Sequence, residues 1–162
     1  MLLDELLRQA FVEQFCAEHA NSRAYLQMSY AMEMAPWDGF AKFLKKSSEE
    51  ETEHACGFAN FLIARNQIPE LNALDTAVGY IVKEPLAAFQ NALNLEKANT
   101  QRIVSLTKLC WDVGDIDAFN FMKPYLEEQR TSEKELLDIV NLLSRAGGNT
   151  AALLEIQEML SG

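Results

Sequence analysis

Glycine and proline are scarce in this chain, 7 and 4 among 162 residues. A fold of many short strands joined by tight turns needs more of both. Alanine, leucine and glutamate are plentiful instead, which points to an all-α protein. Cysteine is also scarce. Cys16, Cys56 and Cys110 are odd in number, far apart and without a C-x-x-C pattern. That excludes a disulfide framework and a cysteine-based zinc motif, and reads as free thiols in a reducing compartment. Cys16 and Cys56 are expected to be small packing groups. No apolar run is long enough to cross a bilayer. The opening MLLDELLRQAF carries charges within its first eight residues, which does not fit a signal peptide. The expected location is cytoplasmic. Positive charge is the scarcer sign: 14 Lys and Arg stand against 24 Asp and Glu, a net charge of −10. Such a surface repels nucleic acid and anionic membranes and attracts cations.

About half of the residues, 49%, are hydrophobic, enough to fill the core of one domain spanning residues 1–162. Their spacing predicts four long helices and a short one. The first runs from about Asp4 to Met34. Pro36-Trp37-Asp38-Gly39 breaks the pattern, with Asp38 as the expected N-cap of the second, which runs to about Asn66. Residues 67–84 lack helical period. Pro85 suits the first turn of the third helix, which ends near Trp111. Asp115 or Asp117 should cap the fourth, which continues to about Arg145. Pro124 lies inside it and should kink it or delay its start. Thr150 to Leu160 make the fifth.

Connection lengths set the topology. Short links make helices one and two antiparallel, and likewise three and four. The middle link of about 18 residues can reach roughly 55–60 Å when extended. A 28-residue helix is roughly 42 Å long. The link can therefore cross the bundle and leave helices two and three parallel.

Tracing the inward stripe of each helix exposes the chemistry. Helix one gives Leu7, Phe11, Gln14, Glu18, Ser22, Tyr25, Ser29 and Met32. Helix two gives Phe40, Leu44, Ser47, Glu51, His54, Phe58, Phe61 and Arg65. Helix three gives Leu86, Phe89, Leu93, Glu96, Thr100, Ile103 and Cys110. Helix four gives Met122, Tyr125, Gln129, Ser132, Leu136, Ile139 and Leu143. Each stripe has a polar residue near its middle, so Glu18, Glu51, His54, Glu96 and Gln129 should meet at one level. Buried carboxylates cost several kcal/mol each unless compensated. No Lys or Arg lies on the stripes at that level. A pair of divalent cations would resolve the imbalance, and carboxylate with imidazole suits iron, manganese or zinc. Glu51-x-x-His54 presents both groups on one helix face, and with Glu18 it makes half of a di-metal carboxylate site. The halves echo one another: Glu18 precedes Glu51 by 33 residues and Glu96 precedes Glu128 by 32. Thr131 stands where the second half would need a His.

These features resemble the non-haem, catalytic ferritins. The resemblance rests on Glu13-Gln14 with Tyr25-Leu26-Gln27-Met28-Ser29, on Glu50-Glu51-Thr52-Glu53-His54-Ala55, on Glu96 with Thr100-Gln101, and on Tyr125-Leu126-Glu127-Glu128-Gln129. It implies a ferritin-like four-helix bundle with a long crossover and a short fifth helix. It also implies iron storage with ferroxidase activity at an Fe²⁺/Fe³⁺ di-iron centre. By position, Glu18 and His54 would hold the first iron, Glu51 would bridge, Glu96 would hold the second, and Gln129 would lie beside it. Tyr25 matches a tyrosine near the first iron. Glu50 and Glu128 are what remains of a third iron site, since Thr131 and Ser132 replace its other acidic groups. Thr52 stands where haem-binding relatives carry a Met, so no haem is expected. The implied partners are iron ions, O₂ or H₂O₂, and copies of the same chain in a hollow 24-subunit shell. Asp115, Asp117 and Asn120 would be candidates for an acidic channel. His19 is expected to be exposed and Trp111 to be a packing residue. Met28, Met32 and Met34 are expected in the core or at subunit contacts. Two other readings remain: a non-storage di-metal oxidase acting on peroxide, and a helical interaction module whose stripe polars set register.

Overall fold

A computed structural model describes residues 1–161. Those residues form α1 (Glu5–Met34), α2 (Asp38–Ala64), α3 (Pro85–Asp112), α4 (Ile116–Ala146) and α5 (Thr150–Ser161). One 3₁₀ turn, Val78–Tyr80, interrupts the long link, and no strand occurs among the described residues. The fold is an all-α four-helix bundle with a short fifth helix.

Local chemistry accounts for the helix ends. The Asp4 carboxylate accepts from the Leu6 and Leu7 N–H groups, at 3.0 and 3.2 Å, a cap worth about 1 kcal/mol. Asp115 caps α4 by accepting from the Ala118 N–H at 2.9 Å. Pro85 opens α3, where its missing N–H would have had no partner. Asp38 departs from expectation. Trp37 occupies the cap position without a side-chain bond, and Asp38 is the first helical residue. There its charge acts on the helix dipole instead. α2 stops at Ala64, and Asn66 takes a left-handed φ of 58°, a conformation asparagine tolerates. Pro124 does not delay α4, which is continuous through it. The Asn120 carbonyl that loses its partner there belongs to an exposed residue, so water can satisfy it.

The core falls into two apolar blocks. One joins the C-terminal half of α1 and of α4 to the N-terminal half of α2 and of α3, around Met28, Met32, Phe40, Phe89 and Leu143. The other joins the opposite halves, around Phe11, Phe58, Phe61, Ile103 and Met122. α2 and α3 therefore run parallel, and the long link crosses the bundle as its length allows. Truncating a fully buried Phe58 in such a block costs roughly 3–5 kcal/mol. Between the blocks lies a layer of polar side chains.

Hydroxyl groups bring α1 and α2 close beside that layer. Ser22 Oγ donates to the Ser48 carbonyl at 2.9 Å, and Ser48 Oγ donates to the Ser22 carbonyl at 2.7 Å. At the far end, α5 lies over the start of α2. A β-carbon at Gly39 would meet the Gln157 carbonyl oxygen at 2.6 Å. Only glycine lets the two backbones approach so closely.

Several peripheral expectations change. Trp111 is 60% exposed and meets Phe119 through one tilted ring contact. Cys56 is exposed, so of the two cysteines read as packing groups only Cys16 is part-buried, its thiol donating to the Glu70 carbonyl. His19 is half-buried with its ring edge on Phe15. Met28 and Met32 are core residues, whereas Met34 is exposed.

Candidate metal centre

All eight stripe residues traced on α1 are buried. Helical periodicity alone thus carries Glu18 inward, between Phe11 and Met32. The same logic buries Glu51 on α2, Glu96 on α3 and Gln129 on α4. His54, one turn beyond Glu51, is half-buried.

Glu18, Glu51 and His54 each offer a ligand atom within 4.8 Å of the other two. His54 Nδ1 lies 3.8 Å from Glu18 Oε2 and 3.8 Å from Glu51 Oε1. Among the described residues, Glu18 Oε2 and Glu51 Oε2 are buried side-chain oxygens without a hydrogen-bond partner. An unpartnered buried acceptor costs about 1–3 kcal/mol, and more when charged. A cation seated among the three groups would remove that cost. The protonation pattern has the same origin. Burial, and then contact with Glu18, pushes Glu51 up to about 9. Burial also opposes charge on His54, but Glu18 and Glu51 outweigh it and raise the imidazole to about 11. Burial likewise opposes ionisation of Glu18. Its contacts with Glu51, His54 and Gln14 prevail and hold it below the usual carboxylate range. Without a cation, protons supply the missing positive charge.

Glu96 is arranged differently. Tyr25 Oη donates to its Oε1 at 2.6 Å, and Gln129 Nε2 donates to its Oε2 at 2.9 Å. Burial raises its pKa despite these two donors. Tyr25 is pushed well above the usual phenol range by burial and by the Glu96 charge, so its proton stays on oxygen.

Glu128 lies off the buried stripe, as a stripe running through Gln129 requires. Gln129 takes the position facing Glu96, and the echo between the two halves of the chain ends there. Glu128 sits half-exposed outside, with Oε2 2.6 Å from His54 Nε2. It thereby orients the ring so that Nδ1 points at Glu18 and Glu51. A carboxylate behind a histidine is a common way to fix a ligand's tautomer and raise its basicity. Glu50 is about as exposed as Glu128 and lies 3.9 Å from Lys46. Thr131 is exposed and Ser132 half-buried, so neither adds a carboxylate beside them.

The layer opens to solvent through a cleft of about 640 Å³ between α2 and α4. Glu50, Glu53, Glu127, Glu128 and Glu135 form its rim, and Glu51, His54 and Glu96 its floor. Its lining includes no lysine or arginine, so its field draws cations inward.

Periodicity missed Asn99. This residue lies between the Glu96 and Ile103 stripe positions of α3, yet it is fully buried beside Glu18 and Gln129. A polar residue three positions after a stripe glutamate is the available signal. Tyr125, already on the traced α4 stripe, also borders the layer. Its ring meets His54 edge-on at 5.5 Å, and Gly57 leaves room for its hydroxyl against α2. Burial, then the Glu18 charge, pushes it up to about 12.

Of the three channel candidates, Asn120 is exposed, whereas Asp115 and Asp117 both meet Arg65. Arg65 Nη2 contacts Asp115 Oδ2 at 2.7 Å, and Arg65 Nη1 contacts Asp117 Oδ2 at 3.2 Å. The guanidinium also donates to the Met1 and Leu2 carbonyls. Asp115 is therefore a cap and an ion-pair partner.

Comparison with known proteins agrees with this architecture. A family model described as ferritin-like domain matches residues 8–146. A bacterial non-heme ferritin of Bacteroides fragilis is 30% identical over 147 residues, covering 90% of this chain and 91% of that protein. One from Escherichia coli O157:H7 is 30% identical over 162 residues, covering 99% and 96%. Among solved structures, an open-pore ferritin from the hyperthermophilic archaeon Archaeoglobus fulgidus superposes with a TM-score of 0.95. It is 28% identical and is matched over 99% of this chain and 98% of its own.

Proposed function

The chain belongs to the ferritin family, and from that premise we propose that it stores iron and oxidises Fe²⁺ at the mid-bundle carboxylate layer. The observation that carries this reading is the pair of buried, unpartnered oxygens, Glu18 Oε2 and Glu51 Oε2, facing a histidine at the floor of an acidic cleft.

In this proposal Fe²⁺ is the substrate. Glu18 and His54 bind the first ion, Glu51 lies between the two positions, and Glu96 binds the second. Each Fe²⁺ gives up one electron. Two ions with two protons reduce O₂ to H₂O₂, or reduce H₂O₂ to two waters. Hard anionic oxygens favour the higher charge of the product, which drives the oxidation. Protons held at Glu51 and His54 leave as the metal enters, and Glu128 keeps the His54 ring aligned while they do. Tyr25, with its proton held, acts as a hydrogen-bond donor that steadies Glu96. Glu50 and Glu128, on the cleft rim, are where Fe³⁺ would pass on leaving the layer. The mineral then accumulates inside a homo-oligomeric shell, for which the family implies 24 copies. No helix among the described residues is long and apolar enough to cross a membrane, and the proposed location is the cytoplasm.

Aerobic Fe²⁺ oxidation followed by ferric absorbance tests the site. The expected result is rapid oxidation by the parent chain and loss of the fast phase in Glu18→Ala and His54→Ala. Equal rates in parent and variants would refute the ligand assignment. Gel filtration after iron loading tests storage: a small assembly that never holds more than two irons per chain would leave only an oxidase.

A further inference from the structure

Asn99 occupies an unusual place in the polar layer. Its side chain is completely buried on α3, one turn beyond Glu96. Its Oδ1 accepts from Gln14 Nε2 at 2.9 Å and from Arg102 Nη2 at 3.2 Å. Its Nδ2 faces Glu18 Oε1 at 3.4 Å and Gln129 Oε1 at 3.5 Å. Both donor positions and both acceptor positions of the carboxamide are thus engaged.

The partners fix which way the amide points. Gln14 and Arg102 present only N–H groups to it, so the oxygen must face them. The NH₂ group is then turned towards the oxygens of Glu18 and Gln129. Two consequences follow. Gln14 Nε2, shared between Asn99 Oδ1 and Glu18 Oε1 (2.8 Å to the latter), is locked in place. That occupies one oxygen of Glu18 and leaves Oε2 free towards Glu51 and His54. The amide of Gln129 is fixed as well. Its oxygen faces Asn99, so its Nε2 must face Glu96 Oε2 and Thr100 Oγ1. In this orientation Gln129 donates to Glu96 and does not offer its oxygen to a cation.

We propose that Asn99 is a positioning residue of the metal centre: through Gln14 it holds Glu18 to one free oxygen, and by facing Gln129 it makes that residue a hydrogen-bond donor to Glu96 and not a metal ligand. The two longer contacts orient their partners, while the shorter bonds through Gln14 carry most of the restraint. Substitutions behind metal ligands typically change metal affinity by about 10–100-fold. This inference rests on the metal reading of the layer, and the test separates the two.

The experiment titrates the full chain with Co²⁺ alone under anaerobic conditions, reading the visible d–d absorption and the melting temperature. The parent is expected to bind Co²⁺ with a defined spectrum. Asn99→Leu should weaken the first Co²⁺ about tenfold and alter the band shape, because a freed Glu18 changes the coordination. Gln14→Leu should do the same. The double variant should lose no more than about tenfold, because both residues act through one chain of bonds. A parent that does not bind Co²⁺ would overturn the metal reading, and this inference with it. Where the parent binds, an Asn99→Leu variant with affinity within twofold and an unchanged spectrum would overturn the role of Asn99 alone, whatever its melting temperature. Losses that multiply towards a hundredfold in the double variant would overturn the route through Gln14. Should Asn99→Leu not fold, Asn99→Ser shortens the side chain without adding apolar bulk and is read by the same criteria.

Discussion

Two clusters of ionisable groups lie inside this bundle, and they are built in opposite ways. At the α2–α4 end, Arg65 is 5% exposed and meets Asp115, Asp117 and two backbone carbonyls. Charges of both signs are present and their bonding capacity is used. In the middle layer, Glu18, Glu51 and Glu96 face one histidine, and two carboxylate oxygens have no donor. The first cluster is complete as folded and ties the N-terminus and α4 to the end of α2. The second is an incomplete ion pair, with its negative half in the protein and room for a cation beside it. Buried charge alone therefore does not mark a function here; the unpartnered oxygen does.

The largest expected effect lies in the complete cluster. Arg65→Ala leaves Asp115 without its counter-ion and should destabilise the chain by roughly 3 kcal/mol. That is the low end for breaking a buried pair, because Asp115 is partly solvated. Urea unfolding measures this, and a loss below about 1 kcal/mol would mean the cluster is not structural. Next is the response to metal. At Co²⁺ or Zn²⁺ a hundred times its dissociation constant, the parent should gain about 2.7 kcal/mol, whereas Glu51→Gln should gain almost none. Thermal melts with and without metal decide this.

The metal-free proteins sharpen the contrast by sign. Glu51→Gln removes a carboxyl group that must take up a proton to be buried without metal, so at pH 7 it should raise metal-free stability by about 1 kcal/mol or more. Asp115→Asn removes a charge that has a partner, so it should lower stability. Two changes of the same sign would erase the distinction. The acid response follows from linkage. Arg65 holds Asp115 below the usual carboxylate range. A lowered folded-state pKa contributes stability above the unfolded value, near 3.8, that is lost as pH falls through the folded value. Parent stability should therefore drop more steeply below pH 4 than that of Asp115→Asn. Exposed pairs set the floor: Lys108→Ala, which breaks the Lys108–Asp112 contact on α3, should cost no more than about 0.5 kcal/mol.

Much of the fold was legible because helices write a 3.6-residue period into the sequence. Glu18, Glu51, His54, Glu96 and Gln129 could be placed at one level without coordinates, since an ionisable residue on an otherwise apolar stripe has nowhere else to point. Pro85 and the cap at Asp115 were legible for equally local reasons. Asp38 was misjudged by one position, because Trp37 takes the cap without a side-chain bond. Glu128 lies one position from the Gln129 stripe, and one position on a helix is a rotation of about 100°, which turns it to the cleft rim. Asn99 escaped notice because a second polar residue near a stripe glutamate looks like the edge of a solvated face until neighbouring helices cover it.

The sequence by itself determined the helices, their order, the parallel pair and the acidic layer, because each depends on short-range periodicity and on the length of one link. Tertiary structure alone decided how the layer is wired. It gave Tyr25 and Gln129 to Glu96, Glu128 to the back of His54, and Arg65 to the acidic residues that seemed free for a channel. Those choices depend on which donors from other helices come within 3 Å of a given oxygen, and hydrogen bonds are directional over that range. They also left two oxygens on Glu18 and Glu51 without a donor, which no reading of spacing could have distinguished from the satisfied oxygens of Glu96 on the same layer.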